Sequence, residues 1–301
     1  MARRKRLAAR PLPAGGYEEA LKRIAALQAL DPPEVSPAAR SQFLTHGRRV
    51  GRAAVFFHGY TNSPPQFARL GALCHERGYN VLIPRAPHHG LADRLTADHA
   101  LLTAEELVAL TSEAVDIAQG LGEQVTVVGL SMGGVMAGWA AQERADVERA
   151  VLIAPAFGFR AVPAALSPLA AALIRRMPNV FIWWDPILRA KAPGPPYAYP
   201  RYATHAVAQI YRLASYVRSR ARQAAPQARS IVVVTNAADL AVDNGAVDRV
   251  VSLWRASGAR NLEIYRFPTG LQLPHDLVDP ENAQQRTDIA YPVLMDLIAA
   301  D

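Results

Sequence analysis

A chain of 301 residues, half of them hydrophobic, is long enough for one large α/β domain with a sizeable core. Its single cysteine, Cys74, excludes an intrachain disulfide and a thiolate zinc cluster and fits a reducing cytoplasm. The formal net charge of +7 is uneven: five basic residues lie within Met1 to Arg10, and eleven Arg or Lys face one acid, Asp185, between Pro155 and Arg229, which excludes a uniformly basic nucleic-acid binder.

Residues 1–16 read as a disordered basic leader. Pro11, Pro13, Gly15 and Gly16 follow the charges where a secretory signal would need an apolar stretch, and no run reaches the roughly 18 apolar residues of a membrane span. Tyr17 to Leu30 has the apolar stripe of a helix, ended by Asp31-Pro32-Pro33. Ala53 to Phe57 is a strand that runs into His58-Gly59-Tyr60-Thr61-Asn62-Ser63-Pro64-Pro65. A helix over about Gln66 to Arg77 and a strand from Asn80 to Pro84 follow, then a loop at Pro87-His88-His89-Gly90. His88-His89 with Asp93 has no metal-ligand spacing and reads as a loop near the mouth of a site. Thr103 to Gln119 is a helix with a threonine cap and Glu106 three residues on, a capping box, and Gly120 to Gln124 links it to the next strand.

Val125 to Val128 form a short, mostly β-branched run, which predicts a buried parallel strand, and Val135 to Glu143 is helix-permissive. Between them stands Gly129-Leu130-Ser131-Met132-Gly133-Gly134. A strand driven into a helix through G-x-S-x-G is the nucleophile-elbow pattern. It forces the serine to φ > 0, at about 1–3 kcal/mol, and presents its hydroxyl at the carboxyl edge of the sheet. The close passage of strand and helix demands small residues two before and two after the serine, here Gly129 and Gly133.

Arg149 to Ala154 is a further strand. Pro155 to Arg229 then breaks the alternation; its clearest helix is Ala203 to Arg222, and the segment reads as a helical cap, or lid, inserted over the carboxyl edge. Trp183 and Trp184 within it are candidates for an acyl pocket or for cap packing. The rhythm resumes with the strand Ser230 to Thr235, the helix Ala246 to Ala256, the strand Leu262 to Phe267 and a helix over about Asn282 to Ala299. Such alternation predicts an α/β fold: a mostly parallel sheet with helices on both faces, built from residues 17–154 and 230–301.

A serine hydroxyl needs a base, and the base needs an orienting acid. Only His205 and His275 follow Ser131; His275 lies in the loop after the last strand, where a base reaches the elbow. The loop after Ser230 to Thr235 holds Asp239 and Asp243. Asp239, ahead of Leu240-Ala241-Val242, is the better acid, whereas Asp243 beside Asn244-Gly245 suits a helix cap. For the oxyanion hole, the N–H of Met132 follows the nucleophile and that of Tyr60 stands in the loop after the first core strand. Gly59 allows that loop a close approach to substrate, and His58 is a structural histidine.

Strand-His58-Gly59-Tyr60, Gly129 to Gly134, Asp239 and His275, in that order, resemble the α/β-hydrolase superfamily. Within it the chain is similar to lid-bearing carboxylesterases and monoacylglycerol lipases and to the serine aminopeptidase-like group, over about Ala53 to Ala299. The resemblance implies acyl transfer to water through an acyl-Ser131, with no cofactor and a small acyl ester as substrate. An aminopeptidase or amidase on the same fold is the second reading, disfavoured because the insert offers only Asp185 to hold an ammonium group. A non-catalytic ligand-binding module is a third. The arginines of the insert either keep the cap soluble or draw it weakly to an anionic membrane surface.

Overall fold

The computed structural model describes residues 7–160, 174 and 176–300. Nine strands are present among them: β1 Gln42–Leu44, β2 Val50–Phe57, β3 Tyr79–Ile83, β4 Gly122–Leu130, β5 Arg149–Ile153, β6 Phe181–Trp183, β7 Arg201–Ala203, β8 Ser230–Asn236 and β9 Leu262–Phe267. The seven α-helices are α1 Tyr17–Ala29, α2 Ala68–Glu76, α3 Ala104–Leu121, α4 Met132–Glu143, α5 Thr204–Ala221, α6 Asn244–Ala256 and α7 Thr287–Ala299.

Seven strands form the main sheet in the order β1-β3-β2-β4-β5-β8-β9, and β6 pairs with β7 in a separate antiparallel ribbon. β1 runs antiparallel to β3; every other pair in the main sheet is parallel. The central strands carry unbroken buried runs, Ala53–Phe57, Val125–Leu130 and Ala150–Ile153, because helices cover both faces. The strand order reverses at β2 and β4, so loops leaving these neighbours diverge and open a crevice at the carboxyl edge. Register pairs Phe57 with Gly129, which sets the His58-Gly59-Tyr60 loop directly beside the elbow.

At the elbow two backbones meet with no room for a side chain. A methyl group at Gly129 would overlap the Gly133 carbonyl, and one at Gly133 would overlap the Phe57 carbonyl oxygen. Ser131 takes φ 57 and ψ −110. Its N–H donates to the Ile153 carbonyl at 2.9 Å and its carbonyl accepts from Ala156 N–H at 3.0 Å, so β5 and the turn after it hold the strained residue.

Four features depart from the sequence reading. From Leu7 onward the expected leader packs on the body: Leu7 and Ala14 are buried, the Trp139 indole donates to the Leu7 carbonyl at 2.7 Å, and Ala14 N–H donates to the Asp116 carbonyl at 2.9 Å. The buried indole needs an acceptor, and the strap supplies it. Residues 1–6 lie outside the described residues. Second, α3 passes straight into β4 at Leu121–Gly122, with Gly122 packed on the Arg52–Ala53 backbone. Third, β1, β6 and β7 are three-residue strands with no detectable period.

Fourth, α5 is more than a cap helix: its first turns, with Thr204, Val207 and Ile210, line the cavity, while most of its apolar face packs on the body. Ile210, Leu213, Ala214, Val217 and Ala221 belong to the main core, and Arg220 pairs with Glu143 of α4 at 2.8 Å. A parallel step from β5 to β8 needs a crossover, and α5 is that crossover. The insertion proper is therefore shorter, running from about residue 157 to 203. Its described part is the β6–β7 ribbon with its connecting turns, and expected cap residues 161–173 and 175 lie outside the described residues.

Gly133→Ala should cost more than about 3 kcal/mol or prevent folding, since the obstacle is a carbonyl that no rotamer change removes. Gly194→Ala, with nothing within 4 Å, should stay within about 0.5 kcal/mol of the parent in chemical denaturation. Similar midpoints for the two variants would contradict the close contact.

Candidate active site

The loops after β2, β4, β5, β8 and β9 and the β6–β7 ribbon converge on one cavity of about 710 Å³, and they bring together Gly59, Tyr60, Ser131, Met132, Trp183, Trp184 and His275. Ser131 stands at the amino end of α4. As the first residue of that helix, Met132 has an N–H with no intrahelical acceptor. The Tyr60 N–H is engaged by no carbonyl among the described turn and loop contacts.

Asp239 lies behind His275 rather than in the cavity wall. Its Oδ2 meets His275 Nδ1 at 2.7 Å, and its Oδ1 accepts from Ala241 N–H at 2.8 Å and Val242 N–H at 3.1 Å. Its side chain is wholly buried, whereas 26% of the His275 side chain is exposed toward the cavity side. Burial disfavours the charged form of both groups. The mutual hydrogen bond and attraction outweigh it, lowering the Asp239 pKa and raising that of His275, with Asp276 adding to the rise. Asp243 caps α6 through Gly245 N–H at 2.9 Å and pairs with Arg249, as its surroundings in sequence predict. His205 is bound to the Met177 carbonyl at 2.8 Å, away from this pair.

The loop after β2 rests on buried histidines. His58 Nδ1–H donates to the Gly59 carbonyl at 2.9 Å while its Nε2 accepts from Ala86 N–H at 3.0 Å, which requires the neutral ring. The Tyr60 hydroxyl accepts from Ala203 N–H at 3.0 Å and so donates its own proton to His99 Nδ1 at 2.8 Å. Burial holds the pKa of both histidines down at about 4, and the Arg201 charge contributes at His99. His88 sits between Asp98 at 2.8 Å and Glu106 at 3.2 Å; His89 is buried with Nδ1 on the Pro87 carbonyl; the Asp93 carboxylate turns back to Leu95 N–H.

Several residues that organise the site escaped the sequence reading. Asn236, at the end of β8, donates to the Leu273 and Pro274 carbonyls at 2.7 and 3.1 Å and so anchors the segment before His275. Arg160 holds the Asp239 carbonyl at 2.9 Å. Gln66, Asn62, Asp276 and Asp279 form a buried polar cluster beside the cavity, joined from the cap by the Tyr197 hydroxyl, which donates to Asp279 at 2.7 Å. Trp184 reaches Thr61 through its indole N–H at 3.0 Å. A polar residue closing a buried strand, as Asn236 does, is the one signal that sequence offered for these.

The neutral histidines fix a pH dependence. Unfolded histidine titrates near 6.5, so between that pH and about 4 the unfolded chain binds protons that His58 and His99 refuse when folded. Their contribution is complete above pH 6.5 and is lost as pH falls toward 4. Stability should drop by about 2–4 kcal/mol between pH 7 and pH 5. Urea midpoints that stay level or rise over that interval would overturn the assignment of neutral rings.

No sequence match was found among curated proteins. Solved structures with the same fold include one from the work on LipS and LipT, two metagenome-derived lipolytic enzymes (18% identity, 88% of this chain and 98% of that chain covered, TM-score 0.63). A soluble variant of monoglyceride lipase from Saccharomyces cerevisiae in complex with a substrate analog is similar at 12% identity, with 86% and 89% covered and a TM-score of 0.62. The monoacylglycerol lipase of Paleococcus ferrophilus follows at 16%, 75%, 87% and 0.57. At these identities the likeness is one of fold. The family model described as "Alpha/beta hydrolase family" matches residues 54–284, most of the chain and every segment that lines the cavity, and the chain belongs to that family.

Proposed function

We propose that the protein is a serine hydrolase that cleaves carboxylic esters, of short to medium acyl chains or monoacylglycerols, through an acyl-Ser131 intermediate. The observation that carries this reading is the 2.7 Å contact between His275 Nδ1 and a buried, doubly N–H-bound Asp239, in a loop that shares one cavity with the elbow serine. With Asp239 holding the Nδ1 proton, His275 Nε2 is left as the base. It takes the Ser131 hydroxyl proton as Oγ attacks the ester carbonyl, then returns it to the departing alcohol. Tyr60 and Met132 N–H groups receive the oxyanion. A water activated by the same imidazole releases the acid. Each step is proton transfer and acyl transfer among these residues, so the mechanism calls on no cofactor.

The apolar part of the wall, with Phe159, Ile182, Val207, Ile210, Leu240 and Val242, suits an acyl chain. Asp276 also lines the cavity, but three N–H donors already hold its carboxylate, which makes it a poorer partner for a substrate ammonium and disfavours an amidase. On the described part of the cap Ile187 is 87% exposed beside Leu188, Arg189 and Lys191, which supports weak association with an anionic membrane surface. With one buried cysteine the setting we favour is the cytoplasm.

A fluorophosphonate probe should label the wild type and fail to label Ser131→Ala, whose hydrolysis of p-nitrophenyl butyrate should drop at least about 10³-fold. Unchanged turnover in that variant would end the proposal. Asp239→Asn should reduce kcat by about 10³–10⁴ with little change in melting temperature, whereas Asp243→Asn should keep kcat and lose about 1 kcal/mol of stability. The opposite pattern would make Asp243 the acid.

A further inference from the structure

Two segments must be held at fixed distance for the proposed chemistry: the oxyanion loop after β2 and the base loop after β9. One amide side chain spans them. Gln66, 2% exposed, accepts the Gly59 N–H on Oε1 at 2.7 Å and donates from Nε2 to Asp276 Oδ2 at 2.7 Å, across 210 residues of chain. Gly59 is the peptide neighbour of Tyr60, and Asp276 is the peptide neighbour of His275. The Gln66 amide lies directly under Gly59, its two polar atoms 3.5 and 3.6 Å from where a methyl would stand.

We propose that Gln66 and Asp276 are a positioning pair that sets the oxyanion donor of Tyr60 against the imidazole of His275; the proposal rests on the serine-hydrolase reading. The chemistry of the four atoms leaves one arrangement. Gly59 N–H requires an acceptor from residue 66. Asp276 Oδ1 already accepts from Val278 N–H and Asp279 N–H, each at 3.1 Å, and Oδ2 faces the Asn62 amide at 3.5 Å as well as Gln66. Three N–H groups, from Gln66, Val278 and Asp279, make Asp276 the acceptor of the pair even though burial and Asp279 push its pKa up, so residue 66 must accept at one end and donate at the other. An amide does both. Both bonds are short and closed at both ends, the first buried and the second part-buried at the cavity wall, so moving either loop breaks a hydrogen bond inside the protein.

The test is a reciprocal exchange. Gln66→Glu sets two carboxylates against each other. Asp276→Asn sets two amide donors against each other, or turns its NH₂ on the Val278 and Asp279 N–H groups. The double variant, Gln66→Glu with Asp276→Asn, restores an acceptor to the Gly59, Val278 and Asp279 N–H groups, leaves the Asn62 amide its bond to Asp279 and keeps the charge of the pair. Fluorophosphonate labelling rate, and kcat and KM for p-nitrophenyl butyrate, are measured on all four proteins, with melting temperatures alongside. Each single variant should lose about 10–100-fold in labelling rate and kcat, with KM within about threefold of wild type. The double variant should return to within about fivefold of wild type. Gln66→Met, which keeps volume and loses both bonds, should show the same kcat loss if Gln66→Glu fails to fold. Single variants that label at the wild-type rate, or a double variant no faster than the slower single one, would overturn the pair while leaving the hydrolase reading intact. A wild type that does not react with the probe would overturn the hydrolase reading, and the positioning role with it.

Discussion

The contact on which the rest depends is between backbones: the Cα of Gly133, the second residue of α4, against the carbonyl oxygen of Phe57 at the end of β2. Because β2 and β4 are register-paired at Phe57 and Gly129, this contact fixes where the helix starts relative to both strands. Ser131 is then forced into positive φ, and its neighbour Met132 becomes the first residue of a helix whose N–H groups lack partners. The strain, about 1–3 kcal/mol, is offset by the Ser131 bonds to Ile153 and Ala156 rather than by anything within the turn. A side chain at either glycine would separate strand from helix and lose all these relations together.

The apolar core fixes the strands, but polar side chains fix the loops. Asn236 clamps the segment before His275, Arg160 and two N–H groups hold Asp239, and His58 ties the loop after β2 to Ala86. Asn236, Asp239 and His58 are buried with these bonds made, so each loop has one low-energy position instead of many. That rigidity lets residues from β2, β4, β8 and β9 share one cavity without being neighbours in sequence.

The sequence was legible where local chemistry decides the outcome. Gly129 and Gly133 mark the elbow because steric overlap allows nothing larger, and the Thr103–Glu106 box caps α3 as its spacing predicts, with bonds of 2.8 and 3.2 Å. Periodicity failed where it says that a face is apolar but not what covers it. The α5 stripe was read as facing the mouth of a site, and most of it faces the core. The strap at Leu7–Gly16 was hidden by its proline and glycine content, since its burial depends on a tryptophan more than a hundred residues away. Gln66 looked like the opening residue of a helix; its partners belong to loops that only the tertiary fold brings near.

Charge shows the same gap between composition and structure. Of the basic residues in the insert as first drawn, Arg212 makes a paired contact with Glu105 at 2.6 Å and Arg220 one with Glu143, both on the crossover helix. Part of the basic excess therefore joins helices, and on the described cap Arg176, Arg189 and Lys191 are exposed, the last two close in the chain to the exposed Ile187 and Leu188. The cap is also fastened to the site below it. Thr61, at φ 68, receives Tyr199 N–H on its carbonyl at 2.7 Å and the Trp184 indole on its hydroxyl, and Tyr197 bonds Asp279. Thr61 follows Tyr60 directly. Raising the β6–β7 ribbon would thus remove the bonds that hold a strained residue next to the proposed oxyanion donor, so access to the cavity and the order of that loop are not independent.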